Sequence, residues 1–281
     1  MKYEINHVTK YLFAKEVFFE PHYFRFKPKF TPYCTLDSFK INIHPKPAGT
    51  SEFMDVENNM IHFCWFEETH RQMVIETRSV LDISDFNPFN FLVYPDENNF
   101  LPLLYADNIK ELLNPALSVG SLSNELIKYG EEIKEASKYN TIDFLLNLTK
   151  QICADFVLES RMTGQPHEPD ITFNLRKGSC RDLTWFQIQL LRYMGIASRF
   201  VSGYYYIPSE KPEFELHAWL EVYIPGAGWI GFDPSHGIVS GNDHIPIACS
   251  ADYQNTMPVT GSVRGDAASE LITELKIELS K

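Results

Sequence analysis

The sequence predicts an α+β fold. Three observations carry that prediction: the first hundred residues alternate apolar and polar side chains, the stretch from about residue 107 to 195 shifts to helical spacing, and alternation returns from residue 198. The order β, then α, then β differs from the regular βαβ repeat of a doubly wound sheet. With 281 residues, 44% of them hydrophobic and 22% charged, the chain can bury a sizeable core.

"YEINHVTKYLF" opens an antiparallel β region. "YFRFKPKF" sets Tyr23, Arg25 and Lys27 against Phe24 and Phe26, and "SFKINIHP", "ENNMIHFCWFEE" and "RQMVIETRSVLDI" continue the pattern between Pro- and Asn-rich turns. An aromatic, proline-rich connector, "FNPFNFLVYPDENNFLPLLYADN", closes this part. The boundaries expected are an N-terminal antiparallel β region over residues 1–100 and a core over residues 101–281 with a C-terminal strand.

In the core, "NELIKYGEEIKEASK" and "NTIDFLLNLTKQICADFVLES" have helical spacing. Phe144, Leu145, Leu148 and Ile152 mark one face of the second, which puts Cys153 in or beside the core. "RMTGQPHEPDITFNLRKGS" is rich in turn formers and predicts a loop. The helix that follows has Leu183, Phe186, Leu190 and Met194 as its inner stripe and Gly195 as its stop. "SRFVSGYYYI", "HAWLEVYI", "GWIGFDPS" and the final "SELITELKIELS" are strands.

The net charge of -12 argues against nucleic acid as a partner, because phosphate binding needs clustered Lys and Arg. No secretory leader is evident, and no run approaches the ~18 apolar residues of a membrane span. The five cysteines are odd in number, widely spaced and free of any C-x-x-C, so neither a disulfide framework nor a structural zinc site is expected. A reducing cytoplasm is the expected compartment.

Cys180 stands outside the apolar stripe, at the mouth of its helix. Unpaired amides, the positive end of the helix dipole, and the nearby Arg176, Lys177 and Arg181 make this a position that favours negative charge. The same amides can stabilise an oxyanion. A buried, inert cysteine is the alternative. A nucleophile needs a base, and the base an orienting group. "HAWLEVYIPGAGWIGFDPS" supplies His217 and Asp233 on one hairpin. A loop of residues 225–227 would pair Ile224 with Gly228, leaving His217 a diagonal neighbour of Asp233 at about 7–8 Å. A one-residue slip would separate them onto opposite faces.

Asp182 fits the first turn of the helix as structural support. Trp185 and Trp219 are read as core aromatics. His236 falls in the loop beyond the useful position, and the pairs Asp243–His244 and His167–Glu168 lack partners at ligand spacing, so no metal site is expected.

"GSCRDLTWFQIQLLRYMGIASRFVSGYYY" and "HAWLEVYIPGAGWIGFDPSHG" resemble the Cys, His and Asp segments of the transglutaminase-like cysteine enzymes. "YEINHVTKYLFAKEVFFEPHYFRFKP" and the final forty or so residues resemble the N-terminal β region and the ending of the bacterial form. The resemblance implies a papain-like core, with helices packed on an antiparallel sheet. It also implies Cys180 as nucleophile, His217 as general base and acid, and Asp233 as the residue that orients the imidazole. The calcium requirement of animal relatives is not carried over, because no acidic loop supports it, and no cofactor is expected. The implied activity is acyl transfer through a thioester on a peptide or protein substrate. Amide hydrolysis leads, with protein-glutamine transamidation and a non-catalytic protein-binding module as alternatives.

Overall fold

The computed structural model describes residues 1–161, 163–207 and 213–280. Six strands come first: β1 (Lys2–Phe19), β2 (His22–Phe24), β3 (Cys34–His44), β4 (Gly49–Met54), β5 (Met60–Trp65) and β6 (Thr69–Ile83). Then follow α1 (Asp107–Leu117), α2 (Asn124–Ala136), α3 (Thr141–Asp155), β7 (Val157–Leu158), α4 (Pro169–Leu175), β8 (Lys177–Gly178) and α5 (Cys180–Tyr193). The chain closes with β9 (Ser198–Ile207), β10 (Glu213–Ile224), β11 (Gly228–Asp233), β12 (Ile238–Val239), β13 (His244–Ser250), β14 (Val259–Thr260), β15 (Val263–Arg264) and β16 (Ser269–Ser280).

The N-terminal alternation becomes sheet because one set of side chains is buried. From Tyr3 to Thr9, strand β1 places every second residue in the interior, and it pairs antiparallel with β6, which pairs with β3. Along its other edge β1 holds β16, from Lys2↔Ser280 to Phe13↔Ser269. A second sheet runs in the order β14-β2-β5-β4. The alternation of "YFRFKPKF" yields only the three residues of β2. Pro28 has no N–H to give a ladder, and the amides of Arg25 and Lys29 turn instead to the carbonyls of Pro258 and Pro246.

The sheet that carries the candidate site has the order β12-β11-β10-β9-β13. Its β10–β11 hairpin has Ile224 opposite Gly228 and Leu220 opposite Phe232, the register expected of a three-residue loop. Leu183, Phe186 and Leu190 of α5 pack with Phe144, Leu145, Leu148 and Ile152 of α3, and with Ala218, Leu220, Val222 and Ile224 of β10. Gly195 ends the helical segment with φ of 74°, a value glycine adopts without steric cost. A second cluster joins Tyr3, Ile5, Leu81 and Ile277 to Tyr204, Tyr206, Ile245 and Ile247. The N-terminal sheet therefore supports β9 and β13 directly.

Two elements differ from the sequence pattern. Part of the expected loop is α4, started by Pro169 at its first turn and ended by Arg176 in the left-handed region at φ 54°. Strand β13 is buried at all seven residues, so it has no alternation to read. Its Pro246 is tolerated because β13 lies at the edge of its sheet. Among the described residues, no helix is long and apolar enough to cross a membrane.

Candidate active site

Cys180 is the first residue of α5, partly exposed, with Ser179 as the cap. Helix starts leave four N–H groups without partners, and here the third helical residue, Asp182, turns back to meet the amide of the cap. Its Oδ2 accepts from the Ser179 amide at 2.7 Å and the Ser179 hydroxyl at 2.7 Å. Its Oδ1 accepts from Arg161 at 2.5 Å and from the His167 amide at 2.7 Å. One buried carboxylate thus fixes both the helix start and the loop in front of it. Burial pushes the Asp182 pKa up, but the bonds from His167 and Ser179 and the Arg161 charge together lower it, so the group stays ionised. Gly178 is required by the same closeness, since a Cβ there would stand 2.7 Å from that of Asp182.

Of the three basic residues that sequence places near the thiol, only Arg181 is held beside it. Arg176 lies over the Phe173 ring, 4.1 Å from its centroid, and Lys177 pairs with Glu159 at 2.7 Å. The left-handed cap at Arg176 turns that side chain onto the aromatic cluster instead of the helix mouth. Arg161, 21 residues before Asp182 in sequence, takes a place near the helix start through that carboxylate.

The structure brings His217 and Asp233 into contact. His217 Nε2 lies 2.8 Å from Asp233 Oδ2, with both side chains closed to solvent. A carboxylate can only accept, so Nε2 carries the proton and Nδ1 is the nitrogen left for another partner. Cys180 is within hydrogen-bonding reach of this imidazole. Glu215 Oε1 also approaches Nδ1, to 2.7 Å, but off the line of a ring N–H, so Nδ1 has no aligned hydrogen bond. Burial works to lower the His217 pKa; the Asp233 charge and hydrogen bond outweigh it, Cys180 and Glu215 add to them, and the pKa stands well above 6.5. For Asp233, burial raises the pKa, yet the His217 charge and the bonds from His217, His236 and His244 hold it well below 3.8. The two groups form an ion pair in which attraction exceeds the cost of burial.

His236, in the expected loop after β11, and His244, in β13, also reach Asp233, a contact that their sequence positions do not announce. His236 Nδ1 donates to Asp233 Oδ2 at 2.9 Å and His244 Nε2 to the same oxygen at 3.2 Å, while Oδ1 accepts from the Ser235 amide at 2.9 Å. Burial lowers the His244 pKa, and its Nδ1 accepts from the Gly241 amide. Tyr205 is the platform beneath: its ring stacks on His244 at 4.2 Å and lies 4.8 Å from His236 and 5.4 Å from His217. Trp219, buried as expected, closes the other side of His244 at 5.1 Å. Only the "SH" after "DP" hints at this arrangement in sequence.

Two sets of groups have ligand atoms within 4.8 Å of one another: Glu215, His217 and His236, and His217, Asp233 and His244. The pair His167–Glu168 has no such company among the described residues. Two open grooves lie elsewhere, one lined by Tyr129, Lys150 and Arg176 and one by Trp229 and Arg199. The central cluster is capable of moving a proton: a thiol beside an imidazole, with a buried carboxylate behind it to stabilise the imidazolium.

Residues 3–82 match the bacterial transglutaminase-like N-terminal region, and residues 127–234 match the transglutaminase-like superfamily. Uncharacterized proteins of Mycobacterium tuberculosis and Mycobacterium bovis are 23% identical over 96% of this chain and 90% of theirs. A protein-glutamine gamma-glutamyltransferase of Pseudomonas aeruginosa is 30% identical over 90 residues, which cover 30% of this chain and 14% of that one. The crystal structure of a protein from Cytophaga hutchinsonii, described as a candidate cysteine protease, has the same fold, with a TM-score of 0.72 and 21% identity over 100% of this chain and 92% of its own. The chain belongs to the transglutaminase-like superfamily, in the bacterial form with an N-terminal β region.

Proposed function

We propose that this chain is a cysteine-dependent acyltransfer enzyme whose main reaction is hydrolysis of a peptide or side-chain amide. The observation that carries the reading is the position of His217. Its Nε2 is committed to a buried Asp233, and Nδ1 is left open beside a partly exposed thiol at the start of a helix.

In this reading the Cys180 proton resides on His217 Nδ1, giving the imidazolium that Asp233 stabilises, and the sulfur attacks the amide carbonyl carbon. The carbonyl electron pair moves to oxygen, where amides of the first turn of α5 can stabilise it. When the pair returns, the C–N bond breaks, and the nitrogen leaves with the proton from His217. A thioester remains on Cys180. His217 then takes a proton from water, the hydroxide attacks the thioester, and the carboxylic acid departs as the thiol is restored. Asp233 keeps its negative charge throughout and holds the ring in the productive tautomer. Asp182 positions the helix start without touching substrate. The substrate is a peptide or protein, and the compartment is the cytoplasm, where the five free thiols would stay reduced.

A primary amine in place of water would give transamidation from the same thioester. The name of the Pseudomonas relative supports this second reading over the 90 residues it shares. Incubation with a peptide panel and glutamine-bearing proteins, with and without a primary amine, separates the two by mass spectrometry. Chain cleavage or ammonia loss is expected of the wild type, with a fall of at least about a thousand-fold for Cys180→Ala. Undiminished turnover by that variant would remove Cys180 from the chemistry.

A further inference from the structure

The buried imidazole of His217 stands in an unusual juxtaposition. Nε2 must carry a proton for Asp233, so on the neutral ring Nδ1 presents a lone pair. Beside it, off the line of that lone pair, a carboxylate oxygen, Glu215 Oε1, lies 2.7 Å from Nδ1. Two electron-rich atoms so close repel unless a positive charge stands between or beside them. Neither has an aligned hydrogen-bond partner, although the His217 side chain is fully buried. The Nδ1 proton of the imidazolium that Asp233 stabilises is one remedy. A metal cation is the other.

We propose that Glu215 Oε1, His217 Nδ1, a ring nitrogen of His236 and the Cys180 sulfur form a site for a borderline-soft divalent cation such as Zn²⁺, and that its occupation switches the enzyme off. Glu215, His217 and His236 each offer a ligand atom within 4.8 Å of the others', and the thiol is within hydrogen-bonding reach of the same imidazole. Nitrogen, oxygen and sulfur donors in that number suit Zn²⁺ and not the all-oxygen shells of Ca²⁺ or Mg²⁺. The carboxylate behind the far nitrogen is in place already: Asp233 accepts from Nε2 at 2.8 Å, the support that fixes a metal-binding histidine's tautomer and raises its basicity. Access is open from solvent, since the Glu215 side chain is 41% exposed and that of His236 is 24% exposed. The bound ion would take the Nδ1 lone pair and the sulfur, the two positions that proton transfer requires. No oxidation takes place; any proton on His217 Nδ1 and on Cys180 is released to solvent as the ion binds nitrogen and sulfur.

The loss of activity rests on the acyl-transfer reading, whereas the binding does not. The test is therefore binding first: Zn²⁺ alone is titrated into the metal-free full chain in a phosphine reductant, with a chromogenic zinc chelator as competitor. One ion per chain is expected, with affinity about tenfold or more weaker in Glu215→Gln, and in His236→Ala as well. Co²⁺ in place of Zn²⁺ should show a sulfur-to-metal charge-transfer band that Cys180→Ala abolishes. Circular dichroism of each variant checks that the fold is kept. Absence of stoichiometric Zn²⁺ binding, or equal binding by wild type and Glu215→Gln, would overturn the site. Stoichiometric binding that leaves turnover unchanged would overturn the switch. Binding to a chain without any acyl-transfer activity would uphold the site and fail the proposed function instead.

Discussion

His217 and Asp233 meet at 2.8 Å with neither side chain exposed, so the folded chain holds an ion pair in its interior. Removing one partner of such a pair leaves the other charge buried alone, at a cost of about 3–5 kcal/mol.

That cost should depend on pH in a defined way. The folded Asp233 pKa is below 3.8, so its contribution is present above that value and fades as pH falls through the folded one. The folded His217 pKa is above 6.5, so its contribution is full below that value and fades as pH rises through the folded one. Urea denaturation of wild type and Asp233→Ala should therefore show the widest gap between the two ordinary values, 3.8 and 6.5, narrowing on either side. A gap that does not change with pH would contradict the ion pair.

Alkylation should single out one thiol. Burial pushes Cys34 and Cys64 up to about 11 and raises Cys153 and Cys249 as well. Cys180, partly exposed at its helix start, is expected to react first with iodoacetamide at neutral pH. Peptide mapping at short times checks this, and Cys180→Ala should remove the fast phase.

Asp182→Ala deletes a helix cap and abandons the groups that donate to this carboxylate. A loss of about 2 kcal/mol or more is expected in denaturant titration. Turnover should fall beyond what stability explains, because the loop tied through Arg161 and His167 would no longer be held at the start of α5. Asp182→Asn, which keeps part of the accepting capacity, should lie between.

Gly203→Ala tests the packing beneath the site. An added Cβ would stand 2.3 Å from the Ile245 carbonyl oxygen and 2.5 Å from the Trp219 ring. Backbone cannot yield as a flexible side chain can, and overpacking of this kind costs about 1–3 kcal/mol. Lower stability with altered near-ultraviolet dichroism of Trp219 is the expected result.

What the sequence could say about this site follows from how local each relationship is. Cys180, His217 and Asp233 sit on a helix mouth and a hairpin whose three-residue loop defines the register, so their meeting needs only short-range geometry. His244 reaches Asp233 because β13 lies beside β9, a neighbour not adjacent in the chain, and nothing in its uniformly buried residues indicates that placement. Tyr205 looks like one of three successive tyrosines until the strand order puts it between the histidines. Arg176 and Lys177 show the converse: nearness in sequence to a thiol did not survive a single left-handed residue. The α4 helix is too short for periodicity to reveal, whereas α5 spans fourteen residues with a clear stripe.

The pairing of β1 with β16 bears on how the molecule is made. Twelve residue pairs zip β1 to β16, so β1 has one edge unfilled until the ribosome has synthesised β16. Contacts so distant along the polypeptide assemble slowly. The sheet behind Tyr204 and Tyr206 is thus finished last, and a nascent or carboxy-terminally clipped chain would present Tyr3 and Ile5 on a ribbon lacking its neighbour.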